Sequence, residues 1–374
     1  MSIKHLLLAS LSLAALNANA TSQTLQTKLT DTIENAKFNF AMVGTNLESV
    51  NNKSSVINTS IGLEGSFNVA EGLKANFNGE LNFGTGSSNS VYENNRVTAY
   101  DGTRLRDAYL SYNYQDFISL KAGAINQGIQ QAPLVVGKKS FLAINEEIKF
   151  NISEIEVFAG ATQAKPKSEA NKDGIGKIED GSPFFAREYV AVRSQRSDLT
   201  LEATVGHFAY DKLSTDAAYN SQFYGNSVFG QSKTNAEFNY SFVGWDMSVL
   251  ADFHLTRNLD LHLGVHQSIN NGAPTGQNRG QILILGAKYT KENWETELSF
   301  NAIKVESDAA PSIYLNKAHE GNYESNLTSL SFKNISNDLT VKVKYLNATP
   351  INNNFYQDKQ EIIEIELRKG YEIF

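Results

Sequence analysis

Residues 56–84 alternate with a period of two. Ile57, Thr59, Ile61, Leu63, Gly65, Phe67 and Val69 are apolar or small, and Asn58, Ser60, Glu64, Ser66 and Asn68 between them are polar. After Ala70-Glu71-Gly72 the pattern resumes, with Leu73, Ala75, Phe77, Gly79, Leu81 and Phe83 set against Lys74, Asn76, Asn78, Glu80 and Asn82. Successive side chains of a strand point to opposite faces, so each half reads as a strand with one greasy and one wet face. Their short link predicts a hairpin. A lone hairpin cannot bury its apolar face on itself and needs a partner sheet or lipid. The wet face of Asn, Ser, Lys and Glu suits a water-filled lumen.

The alternation recurs along the chain. Phe38, Phe40 and Met42 mark a first strand, and further strands fall at 108–112, 118–122, 148–152, 155–159, 190–192, 199–205, 259–265, 283–289, 294–300, 330–332, 339–345 and 363–367. One stretch changes parity: Ala236, Phe238, Tyr240 and Phe242 are even, while Met247, Val249, Ala251, Phe253 and Leu255 are odd. A single strand bulged near Gly244 accounts for the switch and gives sixteen strands. Two strands with a further partner inside 209–234 give eighteen.

Short turns are expected at 70–72, 115–116, 153–154, 195–198, 256–258, 290–293 and 335–338. Long loops rich in Ser, Asn, Gly and Lys are expected at 45–55, 85–103, 126–145, 162–184, 209–234, 268–279, 304–325 and 348–359. Strict alternation of short and long puts both chain ends on the short-turn side. The fold class is therefore all-β: a transmembrane antiparallel β-barrel of 16 strands, or 18, with short periplasmic turns and long extracellular loops. Tyr112, Tyr114, Phe117, Tyr289, Trp294, Tyr371 and Phe374 gather at the short-turn side, as an interfacial aromatic girdle does.

The N-terminus reads differently. Lys4 and His5, the apolar residues 6–16 and Ala18-Asn19-Ala20 make residues 1–20 a secretory signal peptide. In 21–35, Leu25, Leu29 and Ile33 recur every four residues, giving a short helical periplasmic extension or a disordered leader before a barrel over 36–374. Composition removes other classes. Outside the N-terminus no apolar run approaches 18 residues, which excludes a helical membrane span. A mean hydropathy of −0.33 is compatible with a barrel, in which only alternate residues meet lipid. The absence of cysteine removes disulfides and thiolate metal sites, and the net charge of −7 argues against a nucleic-acid partner.

Two segments carry a family resemblance. Arg106-Asp107-Ala108-Tyr109-Leu110-Ser111-Tyr112 with Ile118-Ser119-Leu120-Lys121-Ala122-Gly123 is similar to the hairpin of strands four and five in the Gram-negative outer-membrane porins of sixteen-stranded general type. His254-Leu255-Thr256-Arg257-Asn258-Leu259-Asp260-Leu261 resembles one of that family's periplasmic turns. The resemblance implies an outer-membrane location in a Gram-negative bacterium, contact with outer-membrane lipid, a homotrimer, and recognition by the outer-membrane assembly machinery through the last strand and Phe374. It also implies that the loop after strand five folds inward. That loop, residues 125–144, lacks the acidic Pro-Glu-Phe-Gly-Gly type sequence of enterobacterial members and carries Lys138 and Lys139 instead. Its apolar patches, Ile129 with residues 132–136 and Phe141-Leu142-Ala143, suit packing on an inner wall; the alternative is packing over the mouth or on a neighbouring subunit. The end departs from the family pattern, because Phe374 shares parity with Glu372 and Arg368, and a bulge near Gly370 would reset it.

No catalytic constellation is found, and neither a cofactor nor a metal is called for: the chain does not read as an enzyme. Gly137-Lys138-Lys139-Ser140 resembles the end of a phosphate loop, but Ala132 stands where the first glycine belongs. Asp252, His254, Asp260 and His262 flank one turn, so pairing sets Asp252 opposite His262 and His254 opposite Asp260, as solvated ion pairs or as a metal or pH-sensing site. The expected pore lining comprises Lys37, Lys74, Lys121, Lys149, Arg187 and Arg193 on earlier strands and Asp252, Asp260, Glu295 and Glu297 on later ones, with Lys138 and Lys139 on the constriction loop. Opposed basic and acidic walls would impose a transverse field; a generally solvated lining is the plainer alternative. The function expected is passive diffusion of small hydrophilic solutes and ions. Alternatives are a channel specific for anions or a small organic acid, and a structural or adhesive barrel closed by its loops.

Overall fold

The structure is a computed structural model and describes residues 33–92, 97–115, 117–166 and 183–373. The expected signal peptide, residues 21–32 of the expected extension, and Phe374 lie outside the described residues.

Among the described residues, eighteen strands and one α-helix follow in chain order, besides short 3-10 turns: β1 (Ile33–Ser49), β2 (Asn52–Ala70), β3 (Leu73–Ser90), β4 (Gly102–Tyr114), β5 (Ile118–Asn126), β6 (Ser140–Ile152), β7 (Ile155–Lys165), β8 (Phe184–Gln195) and β9 (Leu199–Asp211). Helix α1 (Thr215–Gln222) and the two-residue strands β10 (Val228–Phe229) and β11 (Glu237–Phe238) lie in one loop. Then come β12 (Phe242–Thr256), β13 (Leu259–Asn270), β14 (Arg279–Lys291), β15 (Trp294–Val305), β16 (Tyr323–Asn334), β17 (Leu339–Pro350) and β18 (Gln360–Glu372). Sixteen of them, all but β10 and β11, form a closed antiparallel barrel in which β1 pairs with both β2 and β18. Closure removes every sheet edge, which is what a strand-built structure needs in hydrocarbon.

Sequence parity becomes inside and outside. Phe38, Met42, Ile61, Phe83, Leu142, Val190, Leu283, Phe300 and Ile365 stand exposed on one face, and loop residues pack against the other, which marks it as the interior. An apolar outer face and a polar inner one are stable together only in a lipid setting. Tyr112, Tyr114, Phe117, Tyr289, Trp294 and Tyr371 are exposed at the short-turn end. Seven connections of two to four residues lie at that end and eight at the other.

Several expectations are corrected. Ile33, taken as the last residue of a helical face, opens β1 and pairs with Phe67, so the barrel begins before residue 36. The loop expected at 45–55 is a turn of Val50 and Asn51, because β1 and β2 stay paired out to Glu48 and Lys53 although both have turned polar. No bulge occurs at Gly244: β12 is in continuous register with β9 from Phe242 to Phe253. The parity switch arises because Ala236 and Phe238 belong to the preceding loop, and Ala236 and Phe242 are buried inside rather than facing lipid. Register likewise runs unbroken through Gly370, which pairs with Asn39. An unforeseen irregularity lies in β4, where Arg106 falls out of register between Leu105 and Asp107.

Candidate pore lining and constriction

The loop after β5 is built to turn inward. The Asn126 side chain accepts from Gly128 N–H and caps a short 3-10 turn that ends at Gln131, whose φ is 51°. A second turn follows, with Val135 N–H and Val136 N–H both donating to Ala132 C=O at 2.9 and 3.0 Å. Five apolar residues at 132–136 would be costly in water, and four of them, Ala132, Leu134, Val135 and Val136, are buried. Leu134 packs with Ile282, Ile303 and Val305 on β14 and β15. From β6 to β14 is six ladder steps in a ring of sixteen, so the loop crosses the lumen to the far wall. Val135 and Val136 sit among Phe141, Phe185, Phe208 and Phe242, and the Tyr210 hydroxyl donates to Val135 C=O at 2.9 Å.

Two further loops hold it there. From loop 306–322, Tyr314 C=O accepts from Gly137 N–H at 2.8 Å and Asn316 Oδ1 accepts from Lys138 N–H at 3.0 Å. A Cβ at Gly137 would lie 2.6 Å from Asn316 Oδ1, so only glycine permits this approach. The imidazole of His319 lies 3.1 Å from Pro133 C=O through Nδ1, and burial pushes its pKa down to about 4. Neutral, it donates this hydrogen bond. Loop 212–241 is tied to loop 306–322 by Asn226, whose Nδ2 donates to Ser307 C=O and Ala310 C=O and whose Oδ1 accepts from Ser312 N–H. Asp308 accepts from Ser227 N–H, the Ser227 hydroxyl and the Ser307 hydroxyl, and Asn270 of β13 donates to its carbonyl. Three loops and the wall are thus one packed body.

The expected lining residues on the wall belong to the inner face, and most of their charges are met by neighbours. Lys37 pairs with Asp338, Lys74 with Glu34 at 2.6 Å, and Lys149 with Glu156 at 2.5 Å. Arg193 reaches Glu202 at 2.6 Å and Glu156 at 3.6 Å. Asp260 is held by His254 at 2.8 Å and Lys288 at 3.2 Å, and Asp252 meets His262 at 2.5 Å, which is the pairing expected from the turn. Glu295 stands opposite Lys333 in register and Glu297 opposite Lys288. Pairing runs along the wall rather than across the bore, so the arrangement is closer to a solvated lining than to two opposed walls. Lys121 forms no ion pair among the described residues. On the crossing loop Lys138 is exposed and Lys139 half-buried.

Arg187 differs from the rest. It is 1% exposed and grips Asp246 through Nε at 3.0 Å and Nη2 at 2.7 Å, beneath the loops. β9 runs between their two strands, and there Gly206 leaves the gap: a Cβ would lie 2.7 Å from Asp246 Oδ1. His319, Asn226 and Asp308 were not singled out from sequence. Nothing in the spacing of loop residues announces them.

Comparison with known proteins adds the fold. No family model matches the chain, and no curated protein does. Among solved structures, OprB of Pseudomonas putida superposes with a TM-score of 0.58 at 13% identity, over 93% of this chain and 96% of that one. What is shared is the porin barrel. The outer-membrane protein OmpT of Vibrio cholerae, in a loop-deletion form, gives 0.54 at 11% identity over 91% and 99%. OmpF of Salmonella typhi, in complex with daunomycin, gives 0.52 at 10% identity over 90% and 97%.

Proposed function

We propose that this chain is an outer-membrane pore for passive diffusion of small hydrophilic solutes and ions, narrowed by its third long loop. The observation that carries the reading is the pairing of a closed barrel, apolar outside, with an inner wall of hydrated ion pairs. A protein that only anchored or adhered would have no use for a solvated interior. We place the passage beside β3 and β4, whose inner side chains Glu80, Arg104 and Arg106 form one charged group. Glu80 is reached by Arg106 at 2.7 Å and by Arg104 at 4.0 Å, and Lys138 supplies the cation on the loop side. In planar bilayers the purified protein should give stepwise conductance in potassium chloride, and a tight seal under all conditions would refute the proposal.

A second reading, a barrel closed by its loops, is favoured by one observation: three loops rather than one fill the interior at the loop end. Liposome swelling in sugars of graded size separates the two, since a closed barrel admits none of them. The homotrimer and assembly through the last strand are part of the same proposal, tested by the mass of the detergent-extracted particle and by removal of Phe374.

A further inference from the structure

On the turn side of the crossing loop, β5 to β8 enclose a recess of about 90 Å³ whose inner-face lining is Ser119, Lys121, Asn145, Glu147, Thr162 and Tyr189, with Glu146 and Ala161 of the opposite parity also bordering it. That is space for about three water molecules, or for a solute of a few heavy atoms. Register explains why these side chains converge. Ser119 pairs with Glu147 and Lys121 with Asn145 across β5 and β6, Asn145 with Thr162 across β6 and β7, and Gly160 sets Glu147 and Tyr189 either side of itself.

The lining is unsatisfied in a patterned way. The Oδ1 of Asn145 is buried and meets no donor. Beside it the hydroxyl of Thr162, a residue only 1% exposed as a whole, also meets no protein partner among the described residues, though its oxygen is within reach of solvent. Buried polar groups are normally hydrogen-bonded, so the unmet Asn145 Oδ1 points to something that fills the recess. Lys121 and Glu147, opposite in charge and diagonal across adjacent strands, do not pair with each other. One Glu147 oxygen accepts the Tyr189 hydroxyl, and the other is free for a second donor.

Resting on the pore reading, we infer that this recess is a binding site for small zwitterionic solutes carrying one carboxylate and one ammonium, of the size of alanine. The solute carboxylate meets the Lys121 ammonium and the Ser119 hydroxyl. Its ammonium donates to Glu147 and to Asn145 Oδ1, with Thr162 beside the backbone of the solute. A mono-anion or a mono-cation satisfies one end only and leaves the other charge unpaired.

The test uses the whole protein in detergent micelles, with alanine as probe and acetate and methylammonium as half-probes. Saturation-transfer NMR should show saturable alanine binding, with each half-probe at least about tenfold weaker, as expected when one charge-assisted contact is lost. Lys121→Met should weaken alanine by about tenfold or more and leave acetate and methylammonium less distinguished from it. Thr162→Val keeps shape and strand preference; should it fail to insert, the half-exposed Lys121 variant still decides. Equal binding of alanine and acetate, or alanine binding unchanged in Lys121→Met, would overturn the inference, as would water alone in the recess with no alanine signal. Binding is read without conduction, so a sealed barrel that binds alanine would sink the pore reading and spare the site, and an open pore that ignores alanine would do the reverse.

Discussion

Strand β8 carries two arginines on its inner face, and they live in different surroundings. Arg187, near the loop end, is buried beneath three loops, held by Asp246 and stacked 4.9 Å from the centre of the Tyr189 ring. Arg193, six residues nearer the turns, has 35% of its side chain exposed and shares Glu156 and Glu202. The same comparison holds for the interior as a whole. Its loop end is packed like a protein core, with Val135, Phe185, Phe208 and Ala309 fully buried, while its turn end is a hydrated ladder of ion pairs. One polar face of one barrel therefore serves two purposes, and loops decide which.

The largest expected contrast tests this directly. Arg187→Met strands the Asp246 carboxylate in a dry site and should cost about 3–5 kcal/mol. Arg193→Met leaves two partly exposed carboxylates, Glu156 still paired with Lys149, and should cost about 1 kcal/mol. Urea unfolding of the two variants in the same lipid measures both, and equal costs would break the distinction between the halves.

Next in size is Gly137→Val. The new side chain must displace Asn316, so loop 127–139 loses its dock on loop 306–322 at about 1–3 kcal/mol. The barrel itself does not depend on that contact. Expected is a larger, noisier single-channel current from a barrel that still inserts; a quiet wild-type current would mean the loops are held elsewhere.

How much of this could be read in advance divides along the same line. Residues 56–84 gave two strands and their turn because lipid and water on opposite sides impose a strict period of two. Asp252 with His262 and His254 with Asp260 followed from a turn and a register. The inward path of residues 127–139 was suggested by family and by the apolar run at 132–136, but not where it would land. Ala236 and Phe242 misled, since alternation says that a face is apolar and not whether lipid or a loop covers it. The Asn226 and Asp308 contacts join segments about 80 positions apart, and no local pattern encodes them.

Acid should loosen the packed half before the hydrated one. Burial holds the His319 pKa near 4 against an ordinary value of 6.5, so the docked loop refuses a proton that the released loop accepts. Docking is then at full strength above pH 6.5 and loses at most roughly 3 kcal/mol as pH falls toward 4. Asp308 opposes this: burial raises its pKa, so the docked form takes up its proton first and gains as pH falls through that value. His319→Gln keeps an N–H for Pro133 and removes the titration. Its current should be flat between pH 6.5 and 4 where wild type becomes noisier; identical profiles would assign the acid response to another group.

The smallest effect is the one closest to function. Lys138 is exposed where loop 127–139 leaves its dock, and Lys139 follows it, half-buried. The facing wall contributes Arg104 and Arg106 against Glu80 and Asp107, so the two lysines of the loop supply the excess positive charge on this side. Exposed charges in salt are screened within about 8–10 Å, so two lysines matter only if the bore is narrow there. Lys138→Glu with Lys139→Glu replaces two positive charges by two negative ones. Under a potassium chloride gradient, the reversal potential should move toward cation preference, most at low salt and least at 1 M. An unchanged reversal potential with wild-type conductance would place the narrow part of the pore away from both lysines, and the hydrated half would then set selectivity through its own ladder of pairs.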